Sequence, residues 1–121
     1  LLHWVNFRFG ATGYLHWGWN QWSVKDPFAD VEPPHGGNIF LPPGDAWIVY
    51  PSKDHVLLSS IRFEAMRDGI EDYELLQLLA KKSPEKAHAL AERLGPRIAA
   101  PEKDIAKFRH VRRELLDALG E

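Results

Sequence analysis

Residues 23–46, SVKDPFADVEPPHGGNIFLPPGDA, carry five prolines and three glycines, including two Pro-Pro pairs. Proline locks φ and has no N–H to donate, so a stretch this dense in it cannot run as a long helix or a central strand. A connection of this length inside a compact domain is usually functional or disordered. Any fold of this chain must therefore assemble from the segments on either side of it.

Those two sides differ in composition. Residues 1–50 hold all five tryptophans and only six charged residues, Arg8, Lys25, Asp26, Asp30, Glu32 and Asp45, whereas residues 51–121 hold the other 26 charges. A poorly charged aromatic half suits buried strands and site loops, and the charged half suits amphipathic helices. With 121 residues and 45% hydrophobic content, one domain with its own core is expected.

Before the loop, residues 1–9 read as the end of a helix stopped by Gly10 and Gly13. Tyr14 to Trp19 are bulky and bounded by turn formers, as in a buried strand; alternation sends Leu15, Trp17 and Trp19 to one face and Tyr14, His16 and Gly18 to the other. After the loop, AWIVYP reads as a short strand ended by Pro51, and three helices follow. The first is expected over 56–82. The second has Ser83 as N-cap and Pro84 at its first position, buries Ala87, Leu90, Ala91 and Leu94, and stops at Gly95-Pro96. The third starts near Pro101 and buries Ile105, Phe108, Leu115 and Leu119.

On a helical wheel at about 100° per residue, Leu57, Ile61, Leu75 and Leu79 share a stripe with Glu64, Asp68 and Asp72. Carboxylates on a core-facing stripe need partners, since an unpaired buried charge is costly. Arg62 and Arg67 are the expected partners, with Arg67 four residues before Glu71; a kink at Gly69 that switches the buried face is the other solution.

Several function classes drop out. The formal charge is -2, with mixed signs throughout, so no electrostatic footprint for nucleic acid or an anionic membrane is present. No apolar run approaches the roughly 18 residues of a membrane span, and no signal peptide is visible. The chain starts at Leu1 rather than Met, as expected of a processed product or a piece of a longer protein. The absence of cysteine removes disulfides, thiolate metal sites and a cysteine nucleophile, but leaves the compartment open.

The six histidines (3, 16, 35, 55, 88 and 110) show no zinc-binding spacing, so neither metal nor cofactor is expected. HGGN at 35–38 has no G-x-S-x-G elbow to serve and reads as turn chemistry. Glu71 and Asp72 form an adjacent carboxylate pair, but helix neighbours point about 100° apart and cannot face each other across one glycosidic bond.

Trp17, Trp19 and Trp22 lie beside Asn20 and Gln21 at the mouth of the long loop. Tryptophans dominate cores, so packing alone can account for them. An indole is equally a platform for the apolar face of a sugar ring, with neighbouring amides to bind its hydroxyls.

Taken in order, TGYLHWGWNQW, DPF, GDAWIVYP and SIRFEAMRDGIEDYELLQLL resemble the C-terminal part of the catalytic domain of glycoside hydrolase family 123, over roughly residues 1–82. The resemblance implies an α/β fold, the C-terminal fragment of a (β/α)8 TIM-type barrel: last strand, long loop, short strand and closing helix, with two more helices after it. A whole barrel takes roughly 250 residues. Residues 1–82 then form the barrel segment and 83–121 a helical extension packed on the same domain.

The family's characterised members resemble exo-acting β-N-acetylgalactosaminidases. In their substrate-assisted mechanism the 2-acetamido oxygen attacks the anomeric carbon while an adjacent Asp-Glu pair stabilises the amide and supplies the acid and base. That pair belongs to a middle barrel strand, and Glu71-Asp72 has the opposite order in a different element. What the resemblance carries over is a sugar-pocket wall: Trp17, Asn20 and Trp22, with Tyr50 of the short strand as a further candidate, and no catalytic residue in this segment. Ser52 stands where a glycine often follows the family's Tyr-Pro. The implied partners are a carbohydrate substrate and the remainder of a barrel or a second copy of the chain; a secreted or envelope location is slightly favoured. The alternatives are a non-catalytic carbohydrate-binding piece and a purely structural domain, the latter expecting Trp17 and Trp22 fully buried against helices.

Overall fold

A computed structural model describes residues 1–32, 34 and 39–120. The HGGN segment at 35–38 lies outside the described residues. The elements are α1 (Leu2–Arg8), β1 (Tyr50–Pro51), β2 (Leu57–Leu58), α2 (Ile61–Lys82), α3 (Pro84–Leu94) and α4 (Ile105–Gly120). This mixture of helices with one small two-stranded sheet is compatible with an α/β class. Among the described residues no helix is long and apolar enough to cross a membrane. The chain divides into two compact units, residues 1–14 with 67–121, and residues 15–66.

The first unit is helical. Its core joins Trp4 and Phe7 of α1, Leu76 and Leu79 of α2, Ala87, Leu90, Ala91 and Leu94 of α3, and Val111, Leu115 and Ala118 of α4. α3 forms as its sequence dictates: Ser83 precedes Pro84, the Ser83 carbonyl accepts the Ala87 N–H at 3.1 Å, and Gly95 closes the last turn onto the Ala91 carbonyl at 2.8 Å. All four residues expected on its inner face are buried. α4 starts at Ile105, four residues after Pro101, because Asp104 accepts the N–H groups of Ala106 and Lys107 and so caps it. Of the expected inner residues Leu115 is buried, and Phe108 and Leu119 pack against the core. Ile105 is 65% exposed, a correction: it is the first residue of α4, and that helix buries Val111, Leu115 and Ala118 further along.

α2 corrects the expected ion network. Asp72 is buried, with its carboxylate accepting the Trp4 indole N–H at 2.9 Å and the Arg112 guanidinium N–H at 2.7 Å. Its partners therefore come from α1 and α4, not from Arg62 or Arg67. Arg67 instead turns outward to Asp68 at 3.4 Å and Glu71 at 3.9 Å, all largely exposed. The buried stripe is Gly69, Asp72, Leu76 and Leu79, while Ile61 stands 83% exposed. The helix runs without a break through Gly69, whose lack of a side chain serves packing: a Cβ there would come within 2.8 Å of the His3 ring.

The second unit holds the Pro/Gly-rich loop and the hairpin β1–β2, which pairs antiparallel with Tyr50 opposite Leu58 and Pro51 opposite Leu57. That pairing shortens the expected 56–82 helix, because Leu57 and Leu58 are already committed to β2. Ser60 then starts α2, its hydroxyl accepting the Phe63 N–H at 3.2 Å and its carbonyl the Glu64 N–H at 3.0 Å. The expected buried strand over Tyr14–Trp19 does not form. Leu15 is 83% and Trp17 53% exposed, and no described strand runs beside them to complete a ladder.

Candidate functional site

The site grows from a close approach of two chain segments in the second unit. Gly18 is buried against Ala46, where a Cβ would lie only 2.5 Å from the Ala46 carbonyl oxygen, so only glycine lets the backbones meet. Beyond it the chain pairs antiparallel: Asn20 bridges Trp47, the Ile48 N–H donates to Trp19 O at 2.9 Å, and the Gln21 N–H donates to Ala46 O at 3.0 Å.

Ala46, Trp47, Ile48 and Val49 are buried, and three of their carbonyls are taken by side chains. Arg62 donates to Trp47 O at 3.0 and 3.3 Å, the Ser60 hydroxyl to Ile48 O at 2.6 Å, and the Trp22 indole N–H to Val49 O at 3.0 Å. A buried segment without strands on both sides must find such partners. The consequence for Trp22 is a ring fixed in position and half-buried.

Asn20 and Trp22, two apart along an extended run, lie on one side of it and open onto a cavity of about 240 Å³ shared with Pro51, Ser52, His55, Val56 and Leu57. The hairpin loop that forms its other wall is closed by Ser52, whose hydroxyl accepts the Val56 N–H at 3.1 Å. The Ser52 side chain thus contributes a hydrogen bond that a glycine there lacks. No carboxylate lines this cavity among the described residues.

Two sequence-predicted residues do not line it. Trp17 is exposed, its indole N–H held by Asp45 at 3.0 Å. Tyr50 is organised differently: its ring stacks on Phe28 of the DPF motif at 4.8 Å, and its hydroxyl accepts from Arg62 at 3.1 Å. That Arg62 hydrogen bond is the main reason the phenol's pKa is pushed below its usual value, since it favours the phenolate. Phe28 itself is placed by a turn in which the Asp26 carboxylate accepts the Phe28 N–H at 2.9 Å.

Trp17 is exposed and Trp22 half-buried, whereas Trp4 and Trp47 are completely buried. Sequence reasoning missed His55 and the organising role of Arg62. For Arg62 the signal was a long cation beside two serines and an aromatic strand; for His55 there was none, because its backbone conformation is set by the hairpin.

A second cavity, of about 250 Å³, lies in the helical unit between His3, Asn6, Thr12, Tyr14, Ile70 and Tyr73. Burial pushes the His3 imidazole pKa down, so the neutral ring is favoured there. Glu71 is exposed on α2 and Asp72 is occupied by Trp4 and Arg112, so the two do not act as a facing pair. Among the described residues no group of three or more acidic or histidine side chains could hold a metal ion.

The family model described as the glycoside hydrolase 123 catalytic domain matches residues 1–79. No curated protein matches the chain.

Proposed function

This chain belongs to the glycoside hydrolase 123 catalytic-domain family, and we propose that it forms the sugar-binding wall of an enzyme acting on N-acetylhexosaminides, of the β-N-acetylgalactosaminidase, substrate-assisted kind. The observation that carries the proposal is the convergence of Trp22 and Asn20 on one cavity within the matched segment. Trp22 offers a ring face whose N–H is already satisfied, and Asn20 offers an amide with both donor and acceptor, the pairing that an acetamido group or a hydroxyl needs. At about 240 Å³ the cavity is smaller than the roughly 300–1,000 Å³ that encloses a drug-sized ligand, which suits one sugar ring.

On this proposal the chain is the C-terminal segment of a TIM-type barrel: residues 13–17, which form no strand in this chain by itself, pair as the last strand only within the whole barrel, and residues 18–22 start the loop that follows. The acid and base come from elsewhere in the barrel. Exposed apolar side chains at Leu15, Ile39, Phe40, Leu57 and Ile61 support a role that is completed by further protein, either the rest of a barrel or a second copy.

Titration of the chain with N-acetylgalactosamine, followed by NMR at the Trp22 indole and Asn20 amide, tests the wall. Shifts confined to this cavity are expected, with no turnover of an aryl N-acetyl-β-galactosaminide by the chain alone. Absence of any shift overturns the binding role, and turnover overturns the division of labour.

A further inference from the structure

We infer that His55 is a sugar-contacting residue of the Asn20–Trp22 cavity, and that its side chain is the reason a non-glycine residue occupies its position in the hairpin. This rests on the carbohydrate function proposed above and names a contact within the same site.

The hairpin geometry sets the requirement. With Pro51 paired to Leu57, the loop 52–56 must reverse the chain, and it does so with Ser52 bonded twice: its carbonyl accepts the His55 N–H at 3.4 Å and its hydroxyl accepts the Val56 N–H at 3.1 Å. Residue 55 consequently sits at φ 59°, in the left-handed region. Side chains crowd the backbone there, so glycine is the default choice and asparagine the next.

Elsewhere the chain follows that default. The other described residues with positive φ are Gly10 at 69° and Gly44 at 73°, and among the described residues His55 is the sole non-glycine. Residues held in a costly conformation gather where a side chain is needed for binding. His55 lines the same cavity as Asn20 and Trp22.

Its chemistry fits what the cavity otherwise lacks. Trp22, Pro51, Val56 and Leu57 supply apolar surface, and Asn20 and Ser52 supply polar groups, with the Ser52 hydroxyl already engaged by the loop. A neutral imidazole donates from one nitrogen and accepts at the other, which matches a ring hydroxyl that does both. The ligand class is therefore a neutral pyranose that presents its apolar face to Trp22 and a hydroxyl to His55.

His55→Gly is the decisive variant, because it removes the imidazole while keeping, or easing, the left-handed turn. In the full 121-residue chain the expected result is an unchanged or higher melting temperature. Affinity for N-acetylgalactosamine is expected to weaken by about three- to tenfold, the loss of one hydrogen bond. His55→Asn, which also accepts left-handed backbone and keeps a polar group, is expected to lose less. Sugar binding by His55→Gly equal to that of the unaltered chain overturns the inference and leaves the proposed wall standing. If the unaltered chain itself gives no shift at Asn20 and Trp22, the carbohydrate function fails and this contact fails with it.

Discussion

The Arg62 guanidinium donates to the Tyr50 hydroxyl at 3.1 Å while its carbon lies 5.6 Å from the centre of the same ring. The same side chain also donates twice to the Trp47 carbonyl, so one cation ties the first turn of α2 to the buried segment and to the Tyr50–Phe28 stack within the second unit. Arg62→Ala is expected to return the Tyr50 phenol to the ordinary tyrosine range, read as tyrosinate absorbance on raising the pH. Tyr50 is depressed in the folded state, so its contribution is present above the ordinary tyrosine pKa and is lost as pH falls through the depressed folded value. Loss of the hydrogen bonds to Trp47 and Tyr50 should cost about 1–2 kcal/mol, and Arg62→Lys, which keeps charge without the planar fork, should fall between.

Gly18→Ala should be disruptive because the obstacle is backbone. The new Cβ would meet the Ala46 oxygen at 2.5 Å and its carbonyl carbon at 2.7 Å. We expect a loss of about 1–3 kcal/mol, as for overpacked sites. The bridge from Asn20 to Trp47 should also loosen, seen as faster amide exchange at Gln21 and Ile48. Unchanged exchange at those two amides would show that the segments can part without consequence.

In the helical unit Asp72 carries the test. Asp72→Ala leaves the buried Trp4 N–H and the Arg112 guanidinium without their acceptor, and urea unfolding should register a loss of about 2–3 kcal/mol. Asp72→Asn retains an acceptor for Trp4 but not the charge that holds Arg112, so its loss should be smaller. Equal stability of all three proteins would dismiss the link.

Glu102 makes a pH-dependent contact before α4. Its carboxylate accepts from the Lys107 ammonium at 2.6 Å and from the backbone N–H groups of Lys103 and Asp104, and its pKa is lowered from 4.5 to about 2, chiefly by Lys107. The folded value lies below the unfolded one, so this contribution is complete above pH 4.5 and disappears as the pH falls toward about 2. Its exposure keeps the effect small, so the check is an NMR titration of the Glu102 carboxyl carbon. Lys107→Ala should move the midpoint back toward that of an ordinary glutamate.

The helical half was the more legible in sequence because its signals are local. A serine–proline start, a glycine stop and apolar residues three and four apart place α3 and its inner face without reference to anything distant. The tryptophan-rich half was less so. The same bulky residues 14–19 satisfy a strand pattern, but a strand exists only where neighbours pair with it, and there the described chain offers pairing only from Asn20 onward. The candidate site was half legible: Asn20 and Trp22 reach one cavity, Trp17 turns to Asp45 and Tyr50 to Arg62 and Phe28.

By itself the sequence determined the membership in a glycosidase family, the irregular loop, the caps of α3 and the aromatic character of the site, since each rests on residue identity or on neighbours a few positions away. Tertiary structure alone decided that Asp72 answers to Trp4 and Arg112, that side chains from residues 22, 60 and 62 satisfy the carbonyls of 47–49, and that His55 takes a left-handed backbone at the cavity. The first two depend on which polar groups remain unpaired once the chain has closed on itself, where burial makes them too costly to leave so, and the third on the tight hairpin loop that Ser52 closes.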